Sequence, residues 1–182
     1  MAAIKSTLDL ILEKTKHLSL NKDEKEVLKQ QELADDVRRH VLPFLNEERE
    51  LSAFQQWLTR LAPAQQDHAR SICLDLFLGS LSPYHENGRV LSGVERILGE
   101  TGRRAWEAAL ARRANNSAGL RQQALAEAEA RFRELLASEG IRGSGLVPCT
   151  ECTPAWKEEE RRLIARFQED LRAELNVDTS QR

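Results

Sequence analysis

The 182-residue sequence lacks any long run of apolar residues. No stretch approaches the roughly 18 consecutive apolar residues that mark a membrane-spanning helix. The N-terminal region also lacks the apolar core of a signal peptide, because Lys5, Asp9, Glu13 and Lys14 interrupt it. These two absences predict a cytoplasmic protein without a membrane partner.

Cysteine is scarce as well, with three residues in the chain. Cys149 and Cys152 form one C-x-x-C motif, whereas Cys73 lies in an apolar segment. A tetrahedral zinc site needs four ligands, and the sequence has neither a second C-x-x-C nor a histidine pair to complete one. Three interpretations of the motif remain: exposed thiols without a function, a metal site shared between two chains, or a redox-active pair. Either of the last two would make the protein a metal- or redox-linked sensor acting through Cys149 and Cys152.

The motifs of common catalytic and cofactor sites are missing. The glycines at 143 and 145 follow no strand and precede no Lys-Ser or Lys-Thr pair, so they do not form a phosphate-binding loop. There is no G-x-S-x-G for a nucleophilic serine, and the histidines lack the spacings of di-iron bundles and zinc proteases. We therefore expect no catalytic residues and no cofactor. Structural or solvent-exposed roles are expected for His17, His40, His68 and His85.

Aromatic residues make up only 5% of the chain, whereas charged residues make up 31%. That balance is typical of elongated helices rather than of a thick globular core. Apolar residues recur at steps of three and four over most of the chain, which is the spacing of one helix face. We therefore predict an all-α fold, an elongated bundle of several helices, with at most a short extended piece at residues 145–148.

Capping residues predict where several helices begin and end. An amphipathic first helix covers residues 4–18, and Asn21 with Glu24 three positions later is a capping box for the second. Pro43 should kink or end that helix, and Pro63 should lie in the first turn of another. Further along, Gly99 closes a short helix, and Thr153 before Pro154 starts the last one. The predicted regions are 1–100, 101–176 and a frayed tail at 177–182.

Residues 101–138 are rich in alanine, arginine and glutamate. Ten alanines, seven large apolar residues and no proline in residues 103–136 favour a long helix. The seam of this helix has steps of three and four that suit a partner helix. It comprises Ala118, Arg121, Leu125, Ala128, Phe132 and Leu135. Residues 115–119 are poor helix formers, so we predict a bend or break near Asn116. An alanine-rich seam buries little area, so the helix needs partner helices from this chain or a second copy.

This seam predicts a non-catalytic interaction or scaffold protein that binds itself or another protein. The side chains expected to make the contact are Trp106, Leu110, Leu125, Phe132 and Leu135.

Arginine clustering supports an alternative function, a regulator that binds nucleic acid. Residues 101–125 carry five arginines and one glutamate, although the whole chain has a net charge of only −2. The residues that could contact an anion are Arg103, Arg104, Arg112, Arg113 and Arg121. Because Arg103 and Arg121 share a helix face and Arg112 points the opposite way, the arginines ring the helix. That distribution favours a solvated surface and makes nucleic acid the less favoured partner.

Two stretches carry a resemblance to known proteins. Residues 4–15 and residues 140–148, the latter followed by Trp156, resemble segments of a family of uncharacterised bacterial helical proteins. The resemblance implies a bacterial, cytosolic, helical protein. It implies no activity and no functional residues.

Overall fold

The computed structural model describes residues 21–141, 143 and 149–175. This part of the chain contains five α-helices, one 3-10 turn and no strand, which confirms the predicted all-α fold. The elements are α1 (Lys22–Leu45), α2 (Leu51–Arg60), α3 (Pro63–Ser80), α4 (Gly88–Ser138), the 3-10 turn η1 (Thr150–Cys152) and α5 (Pro154–Leu175). The helix predicted at 4–18, His17, the extended piece at 145–148 and the tail at 177–182 lie outside the described residues.

Capping and proline signals set the boundaries of α1 and α3. The Glu24 carboxylate accepts a hydrogen bond from the Asn21 backbone N–H at 2.7 Å, as expected for a capping box. Helix α1 ends at Leu45, shortly after Pro43. Pro63 is the first residue of α3, where its missing N–H costs no helical hydrogen bond.

Helices α1, α2 and α3 pack around three phenylalanine rings. Phe44 of α1 stacks on Phe54 of α2 with ring centroids 5.4 Å apart. Phe77 of α3 meets both rings edge-on, at 6.2 and 5.9 Å. Helix α2 runs antiparallel to α1. Phe54 of α2 meets Phe44 at the end of α1, whereas Trp57, further along α2, donates a hydrogen bond to Asp36, which lies earlier in α1.

The same hydrophobic core extends to α4 and α5. Its buried residues from these helices include Val94, Trp106, Ala109, Phe167 and Leu171. The region boundary predicted at residue 100 thus falls within α4, and residues from both sides of it contribute to one core. No helix in the described ranges is long and apolar enough to cross a membrane.

Helix α4 bends sharply at Gly99, where φ is 74° and ψ is −178°. This backbone region is open essentially to glycine alone, so the predicted helix end at Gly99 coincides with the bend. Of the bend or break predicted near Asn116, the break is wrong, because the helix continues unbroken there. Tertiary contacts outweigh the weak local propensity, because Ser117 is buried and Arg113 and Arg121 on either side of it bond carboxylates of α5.

After the bend, α4 packs antiparallel to α5. Arg113 bonds Glu174 at the end of α5, whereas Arg121, further along α4, bonds Glu160 near the start of α5. Arg121 also lies over Tyr84, in the turn between α3 and α4. The part of α4 that follows Arg121 therefore extends away from the bundle, at the end of the bundle where α3 ends.

Candidate interaction groove

The end of α4 extends past the helix against which it packs. We call residues 122–138 the α4 arm. None of its residues is buried, whereas Trp106, Ala109 and Ser117 earlier in α4 are. Of the predicted contact residues on the arm, Leu125 and Phe132 are half-buried and Leu135 is 57% exposed.

The arm and the start of α5 form the walls of an open groove of about 670 Å³. The apolar lining comprises Ala124, Ala128, Phe132, Leu135, Ala155 and Trp156. Charged side chains of both signs also line it, namely Glu127, Arg131, Glu158, Glu159 and Arg162. An apolar strip flanked by mixed charges is suited to an amphipathic helix.

Arg121 joins the elements that meet at the base of the arm. It donates hydrogen bonds to Glu160 of α5 at 3.1 Å and to Glu151 of η1 at 3.0 Å. Its guanidinium lies 5.3 Å from the ring centre of Tyr84 and 5.5 Å from that of Trp156, within range of cation–π attraction. Partial burial acts to lower the pKa of Arg121, but the bonds to Glu160 and Glu151 outweigh it and raise the pKa.

Two buried hydroxyl oxygens lie close to this junction. The side-chain oxygens of Tyr84 and Thr150 have no hydrogen-bond partner within the described part of the chain. Burial raises the pKa of Tyr84, and the positive charge of Arg121 only partly opposes that effect. Tyr84 therefore remains a neutral phenol at neutral pH and packs against the guanidinium by its ring.

Thr153 caps α5 and so fixes the second wall of the groove. Its Oγ1 accepts a hydrogen bond from the Trp156 backbone N–H at 3.2 Å and donates one to the Thr150 carbonyl at 2.8 Å. The predicted start of α5 is thereby confirmed. The cap also links η1 to Trp156, a buried residue that borders the groove.

Cys149 and Cys152 are joined by a disulfide across η1, with their Cα atoms 5.6 Å apart. Both cysteines are exposed, whereas Cys73 is a free, buried thiol. A zinc site shared between two chains would require the reduced pair, and it stays a prediction. Within 21–141, 143 and 149–175, no three or more His, Cys, Asp or Glu side chains are grouped to hold a metal.

Two of the residues predicted to contact a partner lie in the core of the fold or pack against it. Trp106 is only 3% exposed, and Leu110 packs against the buried cluster. Leu125, Phe132 and Leu135 are therefore the members of the predicted set that remain accessible on the arm.

The structure pairs every one of the five predicted anion-contact arginines with carboxylates. The pairs are Arg103 with Glu95 and Glu107, Arg104 with Glu100, Arg112 and Arg113 with Glu174, and Arg121 with Glu151 and Glu160. Hydrogen bonds from Arg113 and then Arg112 lower the pKa of Glu174. The local excess of positive charge in the sequence is thus compensated in space.

Three of the four histidines, His40, His68 and His85, lie in the described part of the chain. His40 stacks on Trp57 with ring centroids 4.6 Å apart, and its Nδ1 lies 2.9 Å from the Asp36 carbonyl oxygen. His68 is half-buried on α3, and His85 is exposed in the turn before α4.

Sequence reasoning missed the junction at Arg121 and the role of Trp156 in the groove. The sequence carried one usable signal, since Arg121 is a charged residue at a seam position otherwise occupied by apolar or small side chains. A charged side chain at such a position requires an oppositely charged partner that is itself buried or half-buried. The identity of that partner required the packing of α5.

No protein-family model, curated protein or solved structure matches the chain. The resemblance to bacterial helical proteins stays a prediction from the sequence.

Proposed function

We propose that this protein is a helical interaction protein whose α4 arm binds the arm of a second copy. The supporting observation is the seam of Leu125, Ala128, Phe132 and Leu135 on the arm, of which the last three line the groove between the arm and the start of α5. An alanine-rich helix gains little stability alone, and covering this seam removes apolar surface from water.

The charges of the groove favour a second copy over a strongly charged partner. Both walls carry both signs, with Glu127 and Arg131 on α4 and Glu158 and Arg162 on α5. A strongly acidic or strongly basic peptide would meet like charges on each wall. The arm of a second copy brings mixed charges and the same seam spacing. Reciprocal pairing of two arms also forms a closed, isologous dimer in which each seam is covered.

The helix predicted at residues 4–18 is a poor candidate for filling the groove. The end of α1 meets the start of α4, because Arg89 donates a hydrogen bond to the Phe44 carbonyl at 2.8 Å. The chain therefore enters α1 at the opposite end of the bundle from the arm. Helix α1 alone has 24 residues and spans about 36 Å at 1.5 Å per residue, whereas a helix over residues 4–18 would span only about 22 Å.

The size of the arm suggests a weak dimer. A pair of short helices buries less than the roughly 1,600 Å² of a standard stable interface. We therefore expect a dissociation constant of about 1 μM or weaker.

Sedimentation velocity over a range of protein concentrations tests the proposal with two matched variants. Leu135 and Val27 are 57% and 54% exposed, both lie on helices, and only Leu135 lines the groove. We expect wild type and Val27→Glu to show the same concentration-dependent dimer, and Leu135→Glu to remain a monomer. A wild type that stays monomeric at high concentration, or an equal effect of the two variants, would overturn the proposal.

Nucleic-acid binding has less support as a function. Each of the five arginines already has a carboxylate partner, so a phosphate would have to displace an existing ion pair. The cytoplasmic location and bacterial origin remain predictions from the sequence, and the proposed dimer depends on neither.

A further inference from the structure

The disulfide lies at the edge of the groove, where reagents can reach it. Cys149 and Cys152 are both exposed, and their Cα separation of 5.6 Å is within the range of ordinary disulfides. Cys73 is fully buried within the core. The C-x-x-C pair is therefore the part of the cysteine set that small thiols and disulfides can attack.

The residues between and after the two cysteines build one wall of the groove. Glu151 bonds Arg121 at the base of the arm, and the Thr150 carbonyl accepts a hydrogen bond from Thr153. Thr153 in turn caps α5 through the backbone N–H of Trp156. A covalent link from Cys149 to Cys152 closes the turn that carries Glu151 and Thr150 and that leads directly into Thr153.

Without that link, η1 is held by the burial of Thr150 and by a few individually weak bonds. Its own backbone bonds are Cys152 N–H to the Cys149 carbonyl at 3.2 Å and Thr153 N–H to the Thr150 carbonyl at 3.0 Å. Glu151 is 57% exposed, so its ion pair with Arg121 contributes little. Reduction should therefore loosen η1 and the first turn of α5 while leaving the core intact.

We propose that Cys149 and Cys152 are a reversible thiol–disulfide pair that controls the α5 wall of the groove, and that the disulfide form is the one competent to bind a second arm. The binding consequence rests on the proposed function, whereas the effect on the wall does not. The site takes low-molecular-weight disulfides and thiols as its substrates.

The exchange is balanced in two steps. A thiolate of one cysteine attacks a small disulfide, which forms a mixed disulfide and releases one small thiolate that takes up a proton. The second cysteine then loses its proton and attacks the protein sulfur of the mixed disulfide, and a second small thiol leaves. Two protein thiols are thereby oxidised to one disulfide, and one small disulfide is reduced to two thiols.

The experiment compares the full chain in excess oxidised glutathione and in excess reduced glutathione. Mass spectrometry of the intact protein verifies the state of the pair, hydrogen exchange reports on the Trp156 amide, and sedimentation velocity gives the dimer dissociation constant. We expect stronger protection of the Trp156 amide and about tenfold tighter association in the disulfide form. The control is the double variant Cys149→Ser/Cys152→Ser, which should fold normally because both positions are exposed. In this variant neither the protection of the Trp156 amide nor the dissociation constant should respond to glutathione.

The outcomes separate the switch from the dimer. The switch is overturned if oxidised glutathione fails to form the disulfide, or if Trp156 is equally protected in both forms. If a dimer forms and its dissociation constant is the same for the oxidised and the reduced protein, the claim that only the disulfide form is competent to bind a second arm is overturned. A protein that never associates, but whose Trp156 protection follows the disulfide, supports control of the wall and removes the proposed dimer.

Discussion

Replacing Gly93 by alanine tests how closely α4 packs on the aromatic core. A Cβ atom at Gly93 would lie 2.7 Å from Cε2 of Phe77 and closer still to its Cζ. Phe77 is fully buried and is held edge-on by Phe44 and Phe54, so its ring has little room to move. The added methyl group must therefore displace α4 or distort the ring cluster.

The magnitude follows from two opposing effects. Overpacking a well-packed core costs about 1–3 kcal/mol, and the better helix propensity of alanine returns up to about 1 kcal/mol. With a ring that cannot yield, we expect Gly93→Ala to lower the free energy of unfolding by about 2 kcal/mol. The matched control is Gly119→Ala in the same helix, where the new methyl group meets nothing. It should raise the stability by about 1 kcal/mol.

Urea-induced unfolding, followed by circular dichroism, measures both variants against wild type. The two should differ by about 3 kcal/mol with unchanged m-values. A Gly93→Ala protein as stable as Gly119→Ala would refute the packing of α4 on Phe77 described above.

Three further changes test the ion pairs, the thiols and the α1–α2 contact. The pKa of Glu174 is lower in the folded protein than in the unfolded chain. Its bonds to arginine therefore stabilise the folded protein above the unfolded pKa, and this stabilisation is lost as the pH falls through the folded pKa. Glu174→Gln should thus be less stable than wild type at pH 7 and should approach it in acid, as followed by thermal unfolding. In the reduced native protein, thiol titration at pH 8 should detect two cysteines, because burial raises the pKa of Cys73 to about 12; three reactive thiols without denaturant would contradict that burial. Trp57→Phe removes the donor to Asp36 and should cost about 1–2 kcal/mol in urea unfolding; an unchanged stability would argue against this bond.

The sequence was sufficient for the fold class and for several helix ends. The capping box at Asn21, Pro63 and Thr153 each act through their nearest neighbours, so their effects can be predicted without tertiary structure. Asn116 shows the limit of such local rules. Its neighbours disfavour a helix, but the contacts of Arg113 and Arg121 with α5 keep α4 continuous.

The groove could be predicted only in part. The seam spacing picked out Phe132 and Leu135, because the arm has a helical period that the sequence displays. It could not show that Trp106 would be buried or that Trp156 would form the opposite wall. The position of Trp156 depends on where α5 begins along α4, and that register appears only in long-range contacts such as the Arg121–Glu160 ion pair and the burial of Phe167.

Hydrogen exchange of residues 122–138 at low and high protein concentration tests the proposed arm contact most directly. Protection of these amides should rise with concentration, in parallel with the dimer fraction from light scattering, while amides at the exposed start of α1 should not respond. Concentration-independent exchange in the arm, or protection that rises at Val27 instead, would contradict the proposal that two arms bind each other.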